Sequence, residues 1–172
     1  MTKFRDLIPD IHKLLNNPES EISEDSLEVF AENIKEHLRD AFGGRRKRAP
    51  RSPDKPRKLY ASKVGLPPRR LWYDTHSPEP FTPSAKINFM YGNILEELVL
   101  LLAKESGHDV REEQRRIEID GVSGKKDARI DGMTTDIKSA SNFSYKKFSS
   151  GEFLIDDDTV DPFGYKTQLG IY

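Results

Sequence analysis

Two aspartates and a lysine in the second half of the sequence, Asp127, Asp136 and Lys138, together with Glu96 upstream, have the residue types that metal-assisted hydrolysis of a phosphodiester needs. Carboxylate oxygens hold Mg²⁺ or Mn²⁺, the ion polarises a phosphate and acidifies a bound water, and a lysine ammonium orients the nucleophile or stabilises developing charge. An acid-x-Lys triplet alone carries little weight, because a chain with 33% charged residues produces it by chance. Strand geometry adds to it. If Asp131 and Thr134 flank a two-residue hairpin loop, Asp127 lies across from Lys138 and Arg129 across from Asp136. Alternation then projects Asp127, Arg129, Asp131, Thr134, Asp136 and Lys138 from one face, and Ala128, Ile130, Ile137 and Ala140 from the other. Three carboxylates and two cations on one face are costly without a ligand or metal. The competing reading is a solvated face with cross-strand ion pairs, each contributing less than about 1 kcal/mol.

The elements that must position these residues are legible from periodicity. From residue 110 onward the pattern is that of strands, at 115–119, 125–131 and 134–140, with Asp131-Gly132-Met133-Thr134 as a connecting turn. Upstream, Thr82 as N-cap and Pro83 at the first position open a helix whose apolar face is Ile87, Met90, Ile94, Leu98, Leu101 and Leu102, ending near Gly107. This helix carries Glu96 and the competing candidate Glu97. Gly92 inside it costs about 1 kcal/mol relative to alanine, which suggests close approach of another backbone or a ligand.

The first 42 residues read as a helical extension: a short helix over 4–15, then a longer one capped by Ser23, with Leu27, Phe30, Ala31, Ile34, Leu38 and Phe42 at helical period and Gly43 as a stop. Such a cap could cover the core, contact DNA or bind another protein. Trp72 and Tyr73 read as packing residues, and His76 and His108 have no visible partner.

With 172 residues and 35% hydrophobic content, one ordinary domain plus an extension is expected. The longest apolar run, 98–103, is too short to cross a bilayer, and residues 1–6 lack a secretory h-region, so a cytoplasmic protein without membrane partners is expected. The absence of cysteine excludes disulfides, a thiol nucleophile, iron–sulfur clusters and Cys-type zinc sites. The net charge of −1 conceals an asymmetry: residues 43–71 hold eleven Lys/Arg against the single acid Asp54. Broken by Gly43, Gly44 and prolines, this stretch reads as an extended arm for polyphosphate, or alternatively as a solvated linker or localisation tract.

Four motifs in order, Gly92-Asn93-Ile94-Leu95-Glu96, Gly124-Lys125-Lys126-Asp127, Asp136-Ile137-Lys138 and Gln168-Leu169-Gly170-Ile171-Tyr172, make the sequence resemble the PD-(D/E)xK nuclease superfamily. The resemblance is to its RecB-type and lambda-exonuclease-type branch, including phage-encoded exonucleases, over roughly residues 59–172. It implies an α/β (α+β) restriction-endonuclease-like core, a central mixed sheet flanked by helices. The division would be a helical extension 1–42, a basic Pro/Gly-rich arm 43–58 and a nuclease core 59–172 that stops before the last core strand. A fragment, or a second chain completing the sheet, would account for that stop.

The resemblance further implies Glu96, Asp127, Asp136 and the Ile137 carbonyl as ligands of one or two Mg²⁺ or Mn²⁺ ions, Lys138 as catalytic lysine, and Gln168 and Tyr172 as a supporting pair. Asp131 competes with Asp127 for the first aspartate. Ser62, Lys63, Arg69 and Arg70 match a stretch suited to phosphate, and Arg45, Arg46, Lys47, Arg48, Arg51, Ser139 and Ser141 complete the expected nucleic-acid contacts. The implied activity is a DNA exonuclease of recombination, repair or DNA turnover. Alternatives are a structure-specific or homing-type endonuclease of the same fold, or a non-catalytic DNA-binding subunit.

Overall fold

A computed structural model describes residues 3–42, 59–64, 66–76, 80–151 and 170. Arg45, Arg46, Lys47, Arg48, Arg51, Gln168 and Tyr172 lie outside the described residues. In chain order the elements are a 3₁₀ turn Phe4–Asp6, α1 (Leu7–Asn16), α2 (Glu24–Phe42), β1 (Leu59–Tyr60), a 3₁₀ turn Ala61–Lys63, α3 (Pro68–His76) and α4 (Pro83–Glu105). There follow β2 (Val110–Arg111), β3 (Arg116–Ile119), β4 (Val122–Lys125), β5 (Ala128–Ile130), β6 (Met133–Thr135) and α5 (Asn142–Ser149). The class is mixed α and β, as expected. The described strands form two three-stranded sheets, β1-β4-β3 and β2-β5-β6.

The chain divides into two compact units. The first comprises Met1–Arg51, Phe81–Gln114 and Asp127–Lys138; the second comprises Ser52–Pro80, Arg115–Lys126 and Ser139–Tyr172. In the first unit, Leu7 and Ile11 of α1, Leu100 and Ala103 of α4, and Ala128 and Ile130 of β5 form the buried core, with Leu102, Val110 and Ile137 packed against it. The hairpin thus turns Ala128, Ile130 and Ile137 inward as alternation requires, whereas Ala140 is exposed.

Helix α4 begins and ends where its sequence says. Thr82 Oγ1 accepts from Ala85 N at 3.2 Å and Pro83 follows. At the other end Gly107 has φ +87°, and the N–H groups of Gly107 and His108 donate to the carbonyls of Lys104 and Ala103, the double bond pattern of a Schellman stop. Gly92 departs from expectation: a Cβ built there meets nothing within 4 Å, so no close backbone approach explains it.

Helix α2 docks on α4 through a polar stripe. Ser23 caps it, accepting from Ser26 N at 3.3 Å, and Glu105 at the end of α4 accepts from Ser23 N at 3.0 Å, Ser23 Oγ at 3.0 Å and Ser26 Oγ at 2.6 Å. Two hydroxyls and a backbone N–H therefore hold the Glu105 carboxyl below the usual carboxylate range. Farther along, Asn33 and His37 reach Glu97. The apolar stripe identified in the sequence is only partly covered: Phe30 also lines a cleft with Leu100 and Leu101 of α4, while Phe30, Ala31, Ile34, Leu38 and Phe42 line an open groove and Phe42 is 77% exposed.

In the second unit, β3 and β4 form a hairpin across Asp120-Gly121, both at positive φ, and β1 pairs with β4 in parallel. A two-residue loop with both residues at positive φ is the turn that matches the strand twist, and Asp-Gly suits it. The expected strand over 125–131 is accordingly split: residue 125 ends β4, and β5 starts at residue 128.

Candidate active site and nucleic-acid contacts

The carboxylates of interest lie at the open end of the β5–β6 hairpin, and its turn decides their pairing. Asp131 and Gly132, at φ +48° and +86°, form the two-residue loop, with Ile130 paired to Met133, Arg129 to Thr134 and Ala128 to Thr135. The loop expected at Gly132-Met133 would have forced methionine to positive φ, which Asp and Gly tolerate far better. The pairing is thereby two residues from the expected one. Continued by one residue, it sets Asp127, and not Arg129, level with Asp136, and the expected opposition of Asp127 and Lys138 is corrected. A shift of two leaves each side chain on its face.

Asp127 is held firmly. It is buried, its Oδ2 accepts from Ile137 N at 2.6 Å across the hairpin, and its carbonyl accepts from Gln114 N at 2.8 Å. Between the pair Arg111–Arg129 and the Gln114–Asp127 bond, the first strand spends one residue more than the second. This is a β-bulge, with Glu112 and Gln114 both at φ +53°. It ends the β2–β5 ladder beside Asp127 and fixes where that side chain emerges.

The expected strand over 134–140 ends at Thr135, and just beyond it Lys138 Nζ lies 2.9 Å from Asp136 Oδ1, with the acid's side chain 7% and the lysine's 37% exposed. A nearly buried carboxylate is thus neutralised by an ammonium that still reaches solvent. This pair and Asp127 provide hard anionic oxygens and a partly exposed positive charge, groups of the type that grip a cation and stabilise a developing anion.

Asp131 has other work. Its Oδ2 lies 2.5 Å from His108 Nδ1, and its Oδ1 accepts from Asp109 N at 3.0 Å. Burial pushes its carboxyl up, but the bond from His108, the backbone bond and the histidine's charge outweigh this and hold it below the usual carboxylate range. His108, expected to be incidental, is fully buried between Asp131 and Asp10 of α1, whose Oδ2 lies 3.5 Å from Nε2. Asp131 is therefore engaged at the turn, whereas Asp127 lies at the other end of β5.

On α4, Glu96 is half-buried and Glu97 is 5% exposed. Glu97 accepts from Asn33 Nδ2 at 2.8 Å and lies 3.0 Å from His37 Nε2, so it is spent holding α2. Glu96, the other acid of this turn of α4, makes neither of these contacts with α2. His37 and Asn33 were missed in the sequence, although Ser26, Asn33 and His37, spaced by seven and four, already mark a polar stripe on an amphipathic helix. In donor type, Glu96, Asp127 and Asp136 fit a hard divalent cation. Among the described residues no three His, Asp or Glu side chains gather closely enough to hold one.

The second unit carries the other candidates. Ser62 is exposed and lines a cleft of about 290 Å³ with Arg116, Ser123 and Lys125; Lys63 is half-buried, and Arg69 and Arg70 are exposed on α3. Ser139 is exposed. Ser141, expected at nucleic acid, is exposed and caps α5, its Oγ accepting from Ser144 N at 3.2 Å. No helix among the described residues is long and apolar enough to cross a membrane. Compared with protein-family models, curated proteins and solved structures, the chain matches none.

Proposed function

We propose that the protein is a divalent-metal-dependent nuclease acting on DNA, with a PD-(D/E)xK type of active site and a phage-type exonuclease as the nearest functional class. The observation that carries the reading is the end of the β5–β6 hairpin, where buried Asp127 accepts from Ile137 N at 2.6 Å and Lys138 Nζ stands 2.9 Å from Asp136 Oδ1. Glu96, Asp127, Asp136 and the Ile137 carbonyl would hold Mg²⁺ or Mn²⁺, which when bound polarises a phosphate and lowers the pKa of water.

The chain's own residues have separable tasks. Asp127, fixed by the N–H of Ile137, keeps one carboxylate in place before substrate arrives, so no ordering cost falls on the chemical step. Lys138 balances Asp136 in the free protein and offers its ammonium to the negative charge that grows on the phosphate. The basic run over 43–71 supplies affinity without sequence preference, which falls steeply with salt.

The test is cleavage of end-labelled linear single- and double-stranded DNA and of closed circles, with Mg²⁺, Mn²⁺ or EDTA, comparing the chain with Asp136→Asn and Lys138→Ala. Metal-dependent cleavage that falls at least a hundredfold in both variants, roughly the loss of one charge-stabilising group, is expected. Cutting of circles would replace the exonuclease with an endonuclease. Absence of cleavage while DNA is still bound would overturn the enzyme reading in favour of a binding subunit.

A further inference from the structure

Helix α3 presents an unusual surface. Its only tryptophan, Trp72, which is also the only one in the chain, is 53% exposed, and Tyr73 beside it is 50% exposed. A tryptophan side chain is large and apolar, and leaving half of it in water forgoes stabilisation of order 1 kcal/mol. The sequence pattern suggested packing residues here, so the exposure calls for another account.

The rings are arranged rather than scattered. Trp72 and His76, one turn apart, stack with centroids 4.6 Å apart and planes 12° from parallel, and the imidazole N–H donates to the Trp72 carbonyl at 2.9 Å. Tyr73 meets Trp72 edge-on, centroids 5.1 Å apart. The bond to the carbonyl fixes the imidazole, the imidazole steadies the indole, and the tyrosine braces its edge. The result is a flat aromatic surface held in place before anything binds.

Charge completes the picture. Arg69 and Arg70 occupy the first turn of α3 and are exposed, and among the described residues neither forms an ion pair. Cations at a helix N-terminus oppose the macrodipole and cost stability, so nothing in the helix itself explains them. Two guanidinium groups one turn before an exposed tryptophan match a strand whose phosphates and bases alternate along one direction. Every nucleobase has a π-face, whereas in a duplex these faces are stacked on their neighbours.

We infer that α3 is a stacking site for an unpaired nucleobase of single-stranded DNA, with Trp72, Tyr73 and His76 receiving the base and Arg69 and Arg70 its flanking phosphates. The inference deepens the nuclease reading by assigning the strandedness of the substrate. A membrane surface also takes exposed tryptophan and arginine, but the nine-residue α3 offers it only Leu71, Trp72 and Tyr73 as sizeable apolar groups, too few for an interfacial helix.

Because Trp72 is the sole tryptophan, its emission reports this helix and no other part of the chain. The experiment titrates the full chain, in EDTA so that no cleavage intervenes, with labelled dT12, an abasic strand of equal length, a blunt duplex and anionic phosphatidylserine vesicles. Anisotropy of the label or co-sedimentation follows binding, and emission follows α3. Expected are strong quenching by dT12, little by the abasic strand or the duplex, and affinity for dT12 about tenfold to a hundredfold lower in Trp72→Ala, with most of it restored in Trp72→Phe.

Tyr73→Ala, which keeps the reporter, is expected to weaken quenching and binding in the same direction. Unchanged emission at saturation with dT12, equal quenching by the abasic strand or duplex, or a vesicle response without a dT12 response would each overturn the inference. A loss of cleavage in the wild-type chain, with this titration intact, would instead sink the nuclease reading alone.

Discussion

Glu97 offers the sharpest test of how the N-terminal helix is attached. Its carboxylate is 5% exposed and leans on two groups from α2, the Asn33 amide at 2.8 Å and the His37 ring at 3.0 Å, with Asn93 Nδ2 3.5 Å from the other ring nitrogen. His37→Ala takes one partner from a buried acid. Breaking a fully buried charged pair costs about 3–5 kcal/mol, and leaving a buried polar group unmatched about 1–3 kcal/mol. The His37 side chain is 24% exposed, so water can follow the deletion, and the lower range applies. The expectation is a loss of about 1–3 kcal/mol, read as a lower urea midpoint at unchanged slope. Asn33→Ala should cost a similar amount. The double variant should depart from additivity by about 0.5 kcal/mol or more, since both act on one carboxylate. Replacing Glu97 as well, by methionine, should recover part of the loss, because the buried charge then disappears with its partners. If His37→Ala changes stability by less than about 0.5 kcal/mol, as an ordinary surface substitution does, then the α2–α4 clamp is not what the distances imply.

Other expectations concern the hairpin and the helix that flank the candidate site. Asp131 has a carboxyl held below its ordinary range, so its contribution is fully present above the unfolded carboxyl's pKa and fades as pH falls through the depressed folded value. Urea midpoints measured from pH 6 down to pH 2 should therefore fall more steeply for the wild type than for Asp131→Asn, and parallel curves would contradict the His108 bond. Gly132→Ala, at φ +86°, should destabilise by about 1 kcal/mol or more, whereas Gly92→Ala, in open helix, should stabilise by up to about 1 kcal/mol. Thermal unfolding of the two variants decides between them, and a destabilised Gly92→Ala would restore the case for a close neighbour at that turn.

What the sequence made legible followed local rules. The start of α4 at Thr82-Pro83, its stop at Gly107 and the cap at Ser23 each rest on a residue that satisfies a helix end, and each is found as expected. What stayed hidden was tertiary. An apolar stripe on α2 predicts which face would be buried if hydrophobic burial alone chose the docking geometry. Here Glu97 and Glu105, eight residues apart on α4, hold the neighbouring polar stripe Ser26-Asn33-His37, and Phe30 at the border of the two stripes shares a cleft with Leu100 and Leu101. The partners of His108, Asp10 and Asp131, are far away in sequence, and no spacing rule links them.

Which residues share a face of the β5–β6 hairpin does not depend on the exact pairing, and the reason is geometric. Choosing Gly132-Met133 as the loop, instead of Asp131-Gly132, displaces every partner by two residues, and the pleat has a period of two. Faces are therefore conserved: Ala128 and Ile130 still turn to the core, and Asp127, Arg129, Asp136 and Lys138 still share the opposite side. What changes is who stands across from whom. Asp127 level with Lys138 would have been an ion pair, quenching both groups and leaving Asp136 to Arg129. In the pairing found, which runs to Ala128 and Thr135, Asp127 Oδ2 accepts from Ile137 N at 2.6 Å and Lys138 Nζ lies 2.9 Å from Asp136 Oδ1. Each acid therefore meets a group of its own, a backbone N–H for Asp127 and an ammonium for Asp136, where the shifted register would have set Asp127 level with Lys138.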